Sequence, residues 1–296
     1  MFQPSKIARF IGAVLSPRVV ESTGANVQPP APLSIKVYNA DGNSFHVNSV
    51  VVSGKSEALV IDSGFTRADA LRVAANVLDS GKTLKTIFIS NADPDFYFGA
   101  EVLKDCFPDA SVLTTPAVRE RIEAKLAGKV AFWSPKMGAN APRKPIVPEL
   151  LQGTSLDVDG EVLEVRGTTG ELAHRPYVWI PSIHTIAGNI AIFGNHHVWT
   201  ADTQKDSERK AWFAQLDEIE ALRPATVIPG HMAAGTPTDL SAIRHTRAYL
   251  QRFDAEAAKA RNAAELIDAM KKAYPQAGLG TALELGAKVN KGEMQW

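Results

Sequence analysis

With 296 residues, of which 45% are hydrophobic, the chain can bury a large core as one α/β domain or two small ones. Its 32 basic and 32 acidic residues cancel, which removes the electrostatic case for nucleic acid or an anionic membrane as a partner. A single cysteine, Cys106, excludes an internal disulfide and a cysteine-rich zinc site, and no apolar run reaches the roughly 20 residues of a membrane span.

In chain order, Lys6 and Arg9 precede the apolar stretch Phe10–Leu15, which stops at Ser16-Pro17-Arg18. That is short for the apolar region of a signal peptide, so it reads as a short helix or arm. Cytoplasm is the default compartment, with a periplasmic origin left open. Residues 1–32 form an N-terminal arm that ends at Pro29-Pro30-Ala31-Pro32, and 33–296 form one domain. Strands are predicted at 33–39, 44–52 and 58–61, separated by turn signals at Asp41-Gly42 and Ser53-Gly54-Lys55. Thr66 and Asp69 resemble a capping pair for a helix with Leu71, Ala74, Val77 and Leu78 on its apolar face, closed by Gly81.

The next stretch, IFISNADPDFYFGAEVL from Ile87 to Leu103, reads as a buried strand, a polar elbow and a helix. The helix carries Cys106, expected to be a small buried hydrophobe. Beyond a strand at 111–113, a helix is expected over 116–126, with a proline-rich surface loop at 134–148. Strands follow at 155–158, 162–166, 177–180 and 190–193, then a helix over 207–222 and a short strand at 225–228 leading into Pro229-Gly230-His231. Two helices close the chain, one carrying Leu240, Ile243, Leu250 and Phe253 on a face, the other capped by Asn262 and Glu265. The last twenty residues have weak periodicity. Two similar halves of strands and helices fit two packed sheets flanked by helices.

The elbow places Asn91, Asp93 and Asp95 at alternate positions, and the landmarks around it fall in a family's order. Phe45–Val50, the strand end ALVIDSG at 58–64, the elbow NADPDF at 91–96, Gly99, Gly167-Thr168-Thr169, Ala187-Gly188-Asn189 and Pro229-Gly230-His231 together resemble the metallo-β-lactamase superfamily. Trp179-Ile180-Pro181, His197, Trp199 and Asp202 add a likeness to a divergent branch of it. The resemblance implies an α/β four-layer αββα sandwich. It also implies a ligand set in which Asn91, Asp93 and Thr168 stand for the three histidines of one metal. Asp95, Phe96 and His231 stand for the second set, and Asn189 for the bridging aspartate. Of these, only Asp95 and His231 match the family's residue types. Thr168 is a poor zinc ligand, Phe96 cannot coordinate, and Asn189 offers a neutral carbonyl.

Each candidate has a plainer alternative. Asp93 or Asp95 serves equally as a helix N-cap, and Asn91 as a turn residue. His231 ends a strand in a loop position. His197, beside Trp199 and Asp202, is either an acid, base or ligand or a packing histidine. His196 is expected at the surface, and His46 and His245 are expected to be structural. Thr168, Asn189, Trp199, Asp202 and His174 complete a candidate pocket, and Tyr97, Phe98 and Trp133 are either its apolar walls or core. No Gly-x-Ser-x-Gly elbow, Walker loop or dinucleotide fingerprint is present.

Two functions follow. One is a hydrolase-like protein with at most one divalent metal (zinc, manganese or iron, with magnesium also suited to oxygen ligands) on Asp93, Asp95 and His231, helped by Asn91 or His197. Asp95, His231 and His197 would be its catalytic groups, and an ester, lactone, amide or thioester its substrate. The other is a metal-free, non-hydrolytic member that holds a small ligand in the same cleft. A homodimer stays open.

Overall fold

The computed structural model describes residues 33–296, so the predicted arm at 1–32 lies outside the described residues. The strands are β1 (Ser34–Asn39), β2 (Asn48–Ser53), β3 (Glu57–Ile61), β4 (Thr83–Ile89), β5 (Ser111–Thr114), β6 (Glu149–Leu150), β7 (Ser155–Val158), β8 (Glu161–Arg166), β9 (Tyr177–Ile180), β10 (Thr185–Ala187), β11 (Phe193–Gly194), β12 (Thr226–Val227) and β13 (His231–Met232). The helices are α1 (Arg67–Ser80), α2 (Pro94–Tyr97), α3 (Ala100–Cys106), α4 (Pro116–Met137), α5 (Asp206–Ala221), α6 (Ser241–Lys259), α7 (Ala263–Ala273) and α8 (Gly280–Asn290).

The first six strands form one sheet in sequence order, antiparallel from β1 to β3 and parallel from β3 to β6. A second sheet has the order β12-β10-β9-β8-β7, and β11 pairs with β13 in a short parallel ribbon. Between the two large sheets, Val50, Val52, Leu59, Ile61 and Phe88 meet Leu163, Val165, Val178, Ile180 and Ala187 in a wholly apolar layer. The outer face of the first sheet packs on α1, α3 and α4, and that of the second on α5 through α8. Helix, sheet, sheet, helix is thus the layer order, as the alternating pattern and the resemblance led one to expect.

Local chemistry explains the elements and several departures from the sequence reading. Helix α1 is opened by a reciprocal Thr66–Asp69 capping box and closed by Gly81 at φ 66°. Its buried face is Ala70, Val73, Ala74 and Val77, whereas Leu71 and Leu78 are 53% and 67% exposed. The small residues permit close approach to the sheet, so the helix is turned away from its larger leucines. Asp41 accepts a hydrogen bond from the Asn43 backbone and bends residues 42–44 into a 3₁₀ turn. Phe45 and His46 then take positive φ, and β2 starts only at Asn48.

Gly99, at the α2–α3 junction, admits no side chain, because a Cβ there would lie 2.1 Å from the Ser63 carbonyl oxygen. The expected strand at 190–193 is mostly a loop, since Asn189 Oδ1 accepts the Ile192 N–H and folds the run back on itself. Helix α4 runs eleven residues past its expected end. Pro135 falls in its last turn, where it removes the N–H bond to the Ala131 carbonyl, and apolar packing by Val130 and Trp133 before it offsets that loss. A third closing helix, α8, lies in the run of weak periodicity: Leu283 and Ala287 pack into the core, Leu285 turns to another side, and Glu284 and Lys288 are exposed. Cys106 is exposed, at the end of α3, and His196 is buried rather than superficial. Among the described residues no helix is long and apolar enough to cross a membrane.

Candidate functional site

The elbow is built from below. Asp62 ends β3 at φ 60°, and its carboxylate accepts from the Ser90 N–H at 2.8 Å and the Ser90 hydroxyl at 2.7 Å, tying the ends of β3 and β4 together. Burial pushes Asp62 up to about 7, against those two hydrogen bonds. Ser63 donates its N–H and hydroxyl to the Phe96 carbonyl, which seats α2 on the strand end.

On this platform Asn91 is buried, and its Oδ1 accepts the Asp93 N–H at 2.8 Å in an Asx turn. Asp93 occupies the N-cap position of α2 but makes no side-chain capping bond. Its Oδ1 instead accepts from Lys129 Nζ at 2.8 Å, and the same ammonium donates to the Ala92 carbonyl at 2.8 Å. Burial opposes ionisation of Asp93, but Lys129 overrides it and holds the carboxyl below the usual range.

Asp95 is buried beside His231, with Oδ2 3.5 Å from Nε2. His231 Nδ1 lies 2.9 Å from the Phe45 carbonyl, which can only accept, so Nδ1 carries the proton and Nε2 presents its lone pair to Asp95. The Phe193 ring stacks at 5.2 Å and Phe96 meets the imidazole edge-on at 5.4 Å, fixing the ring. Burial pushes His231 down to about 4, while burial and then the charge of Asp93 push Asp95 up to about 8. Near neutral pH the two face each other as a carboxylic acid and a neutral imidazole.

These groups floor a cavity of about 470 Å³. Phe65, Phe132 and Trp133 form one wall, and Phe193, Trp199 and Trp296 stand on the other side. Trp199 and Trp296 meet at 4.7 Å, so the end of the chain closes part of the rim. Of the sequence candidates, Asp93, Asp95, His231 and Trp199 line this cavity, with Asn91 buried at its base. Trp133 is a wall, whereas Tyr97 and Phe98 are core.

The other candidates stand apart from the cavity lining. Thr168 sits half-exposed in the loop after β8. Asn189 spends its carboxamide on the Ile228 carbonyl at 3.1 Å and the Ile192 N–H at 2.9 Å. His197 Nδ1 lies 3.0 Å from the Tyr249 hydroxyl, and burial pushes the ring down to about 4. His174 and Asp202 gather around Arg175, a fully buried guanidinium stacked 3.8 Å over Trp212 with Nη2 donating to the Ile190 carbonyl at 3.0 Å. Asp202 Oδ1 is 4.0 Å from Arg175 Nη1, and burial raises its carboxyl although Arg175 opposes the rise. Among the described residues no group of three or more His, Cys, Asp or Glu side chains is placed to hold a metal ion.

Sequence reasoning missed Lys129, Phe45, Phe132 and the α8 contribution. The available signal for Lys129 was its helical spacing with Trp133, four residues on, which puts both on one face.

The family model described as metallo-beta-lactamase superfamily matches residues 42–231. Among solved structures, a metallo-beta-lactamase family protein from Thermus thermophilus aligns with TM-score 0.60 and 18% identity, covering 88% of this chain and 93% of that one. A metallo-beta-lactamase from Pontibacter korlensis aligns at 0.52 and 16%, over 76% of this chain and 97% of its own. The DIM-1 metallo-beta-lactamase aligns at 0.53 and 16%, over 74% and 93%. At these identities the likeness is one of fold. No curated protein matches the chain.

Proposed function

This chain belongs to the metallo-beta-lactamase superfamily, and from that premise we propose that it is a metal-independent member that binds a small, mostly apolar molecule above an acid–base pair. The observation that carries the reading is how the elbow's donors are already used. Asn91 Oδ1 is held by a backbone N–H, Asp93 by Lys129, and the Asn189 carboxamide by two backbone groups. Phe96 and Thr168 complete a donor set that does not fit the histidine-rich arrangement a zinc ion requires. On this reading the metal-binding frame is degenerate, and the chemistry of the site falls to its own side chains.

What remains at the floor is useful chemistry. A ligand group seated there meets the Asp95 carboxyl and the His231 Nε2 lone pair side by side, the pairing needed to give a proton at one atom and take one at another. The aromatic walls exclude water and favour a flat or hydrocarbon body, and the volume suits a drug-sized molecule. The hydrolytic reading, with one divalent ion on Asp93, Asp95 and His231 and an acyl substrate, is favoured by a single feature, the approach of Asp95 to His231.

Elemental analysis after purification without chelator separates the two readings. The expected result is under about a tenth of an equivalent of any transition metal, with no rise in Tm on adding zinc or manganese. N-phenyl-1-naphthylamine, a neutral apolar fluorophore, should bind, and Phe132→Asp at the cavity wall should weaken it at least about tenfold. Stoichiometric metal with a matching rise in Tm would overturn the proposal.

A further inference from the structure

Among the described residues, Lys129 is the one lysine or arginine in the cavity lining. Its side chain is 17% exposed, and it lies on α4 between Gly128 and the wall residues Phe132 and Trp133. The ammonium reaches across 36 positions of sequence to Asp93 Oδ1 and across 37 to the Ala92 carbonyl, at 2.8 Å each. Both acceptors belong to the elbow, and both bonds have the length of charge-assisted hydrogen bonds. A divalent ion using Asp93 would have to displace this ammonium or share a carboxylate with a like charge a few ångströms away. Lys129 therefore supplies the positive charge that balances Asp93.

An ammonium has three donors, and among the described residues two are taken. The third is left for a ligand, at the polar end of an apolar cavity whose other floor groups are Asp95 and His231. Because Asp93 already neutralises the charge, the third donor suits an uncharged oxygen better than an anion. A carbonyl oxygen accepts one such bond and carries no charge to desolvate. A primary amine offers no comparable acceptor once protonated, and would meet Lys129 as a like charge.

We infer that Lys129 is the resident cation of this site, fixed on Asp93 and Ala92 in place of a metal ion, and that its free N–H receives the carbonyl oxygen of a neutral, apolar ligand. This rests on the metal-independent reading above and assigns the group that replaces the metal and the chemical class that binds. A ligand carbonyl would be polarised by the ammonium while the Asp95–His231 pair stands within the same floor.

Three aryl probes of one size test the ligand class: 2-acetonaphthone, 2-ethylnaphthalene and 2-naphthylethylamine, measured by calorimetry on wild type, Lys129→Met and Lys129→Arg. Wild type should prefer the ketone to the hydrocarbon by about tenfold and bind the amine weakest. Lys129→Met should abolish the preference while still binding the hydrocarbon, and Lys129→Arg should restore part of it. A preference that survives in Lys129→Met, or an amine that binds as well as the ketone, overturns the assignment. If none of the three probes binds wild type, the cavity reading itself falls.

A second measurement needs no organic ligand. In Lys129→Ala, manganese affinity should rise at least about tenfold over wild type, and adding Asp93→Asn should remove the gain. Lys129→Gln, which keeps the stem, stands in if the alanine variant fails to fold by circular dichroism. A folded variant with no gain in metal binding overturns the replacement of the metal, whereas tight metal binding by wild type overturns the metal-independent reading.

Discussion

Two polar regions lie close to one another in this fold and are made of the same residue types. The cavity floor holds Asp93, Lys129, Asp95 and His231, and the cluster behind it holds Asp202, Arg175 and His174. In the floor, the ion pair is short and the side chains line open space. In the rear cluster Arg175 is fully buried, and its Nε and Nη1 make no hydrogen bond among the described residues, nor does His174 Nε2. The ion pair with Asp202 is long at 4.0 Å, and none of the three side chains lines the cavity. A carboxylate, a cation and a histidine are therefore not enough to mark a site. Access to a cavity separates groups that meet a ligand from groups that hold layers together.

Acid is the strongest way to test that distinction. His174 and His196 are pushed down to about 3, and His197 and His231 to about 4, with burial the main cause in each. A histidine depressed in the folded state takes its proton in the unfolded chain first. The stability is therefore present above pH 6.5 and lost as pH falls toward the folded values. The four histidines together lose about 6 kcal/mol between about pH 6.5 and 5, while Asp62 and Asp95, whose raised carboxyls take protons in the folded state first, return about 4. Chemical denaturation should therefore show a net loss of about 2–3 kcal/mol. Three of these rings lie outside the cavity, so His174→Phe should remove about a quarter of the histidine contribution, on the order of 1.5 kcal/mol, without altering probe binding. A flat profile over that range would remove the claim that the rear histidines are held neutral.

The largest effect of a single substitution belongs to the rear cluster. Arg175→Ala leaves Asp202 without its cation and opens space over Trp212, and should cost about 3–5 kcal/mol in urea unfolding. A loss below about 1 kcal/mol would mean that the guanidinium is a ligand group waiting in a prepared pocket rather than a structural one. The smallest effect belongs to the rim. Deleting Trp296, which is 49% exposed, should change stability by less than about 1 kcal/mol. It should nevertheless shift the fluorescence of the remaining tryptophans and speed release of N-phenyl-1-naphthylamine. An unchanged release rate would show that the end of the chain does not guard the cavity.

Much of this was legible in the chain itself. Periodicity and turn chemistry marked most strands and helices, because the 3.6 and 2.0 repeats are local and each buried face is written in consecutive residues. The capping pair Thr66–Asp69 and the glycine at 81 set α1 on their own. The order of landmarks from Phe45 to His231 placed the elbow, and side-chain identity alone showed that Phe96 could not be a ligand. Where apolar residues fall on more than one side of a helix, as Leu283 and Leu285 do in α8, the amphipathic signal weakens and the helix goes unseen.

The partners of the elbow were decided only by tertiary structure. Nothing near Asp93 in sequence announces that an ammonium 36 residues away will meet it, or that the Phe45 carbonyl will fix the tautomer of His231 from 186 residues away. Nor could a motif distinguish Asp202, packed against Arg175, from Asp95, open to the cavity. Hydrogen bonds and ion pairs depend on distances of a few ångströms, and only the packing of helices on sheets sets them. The sequence by itself determined where chemistry is placed, and the packed structure determined which charges are free to perform it.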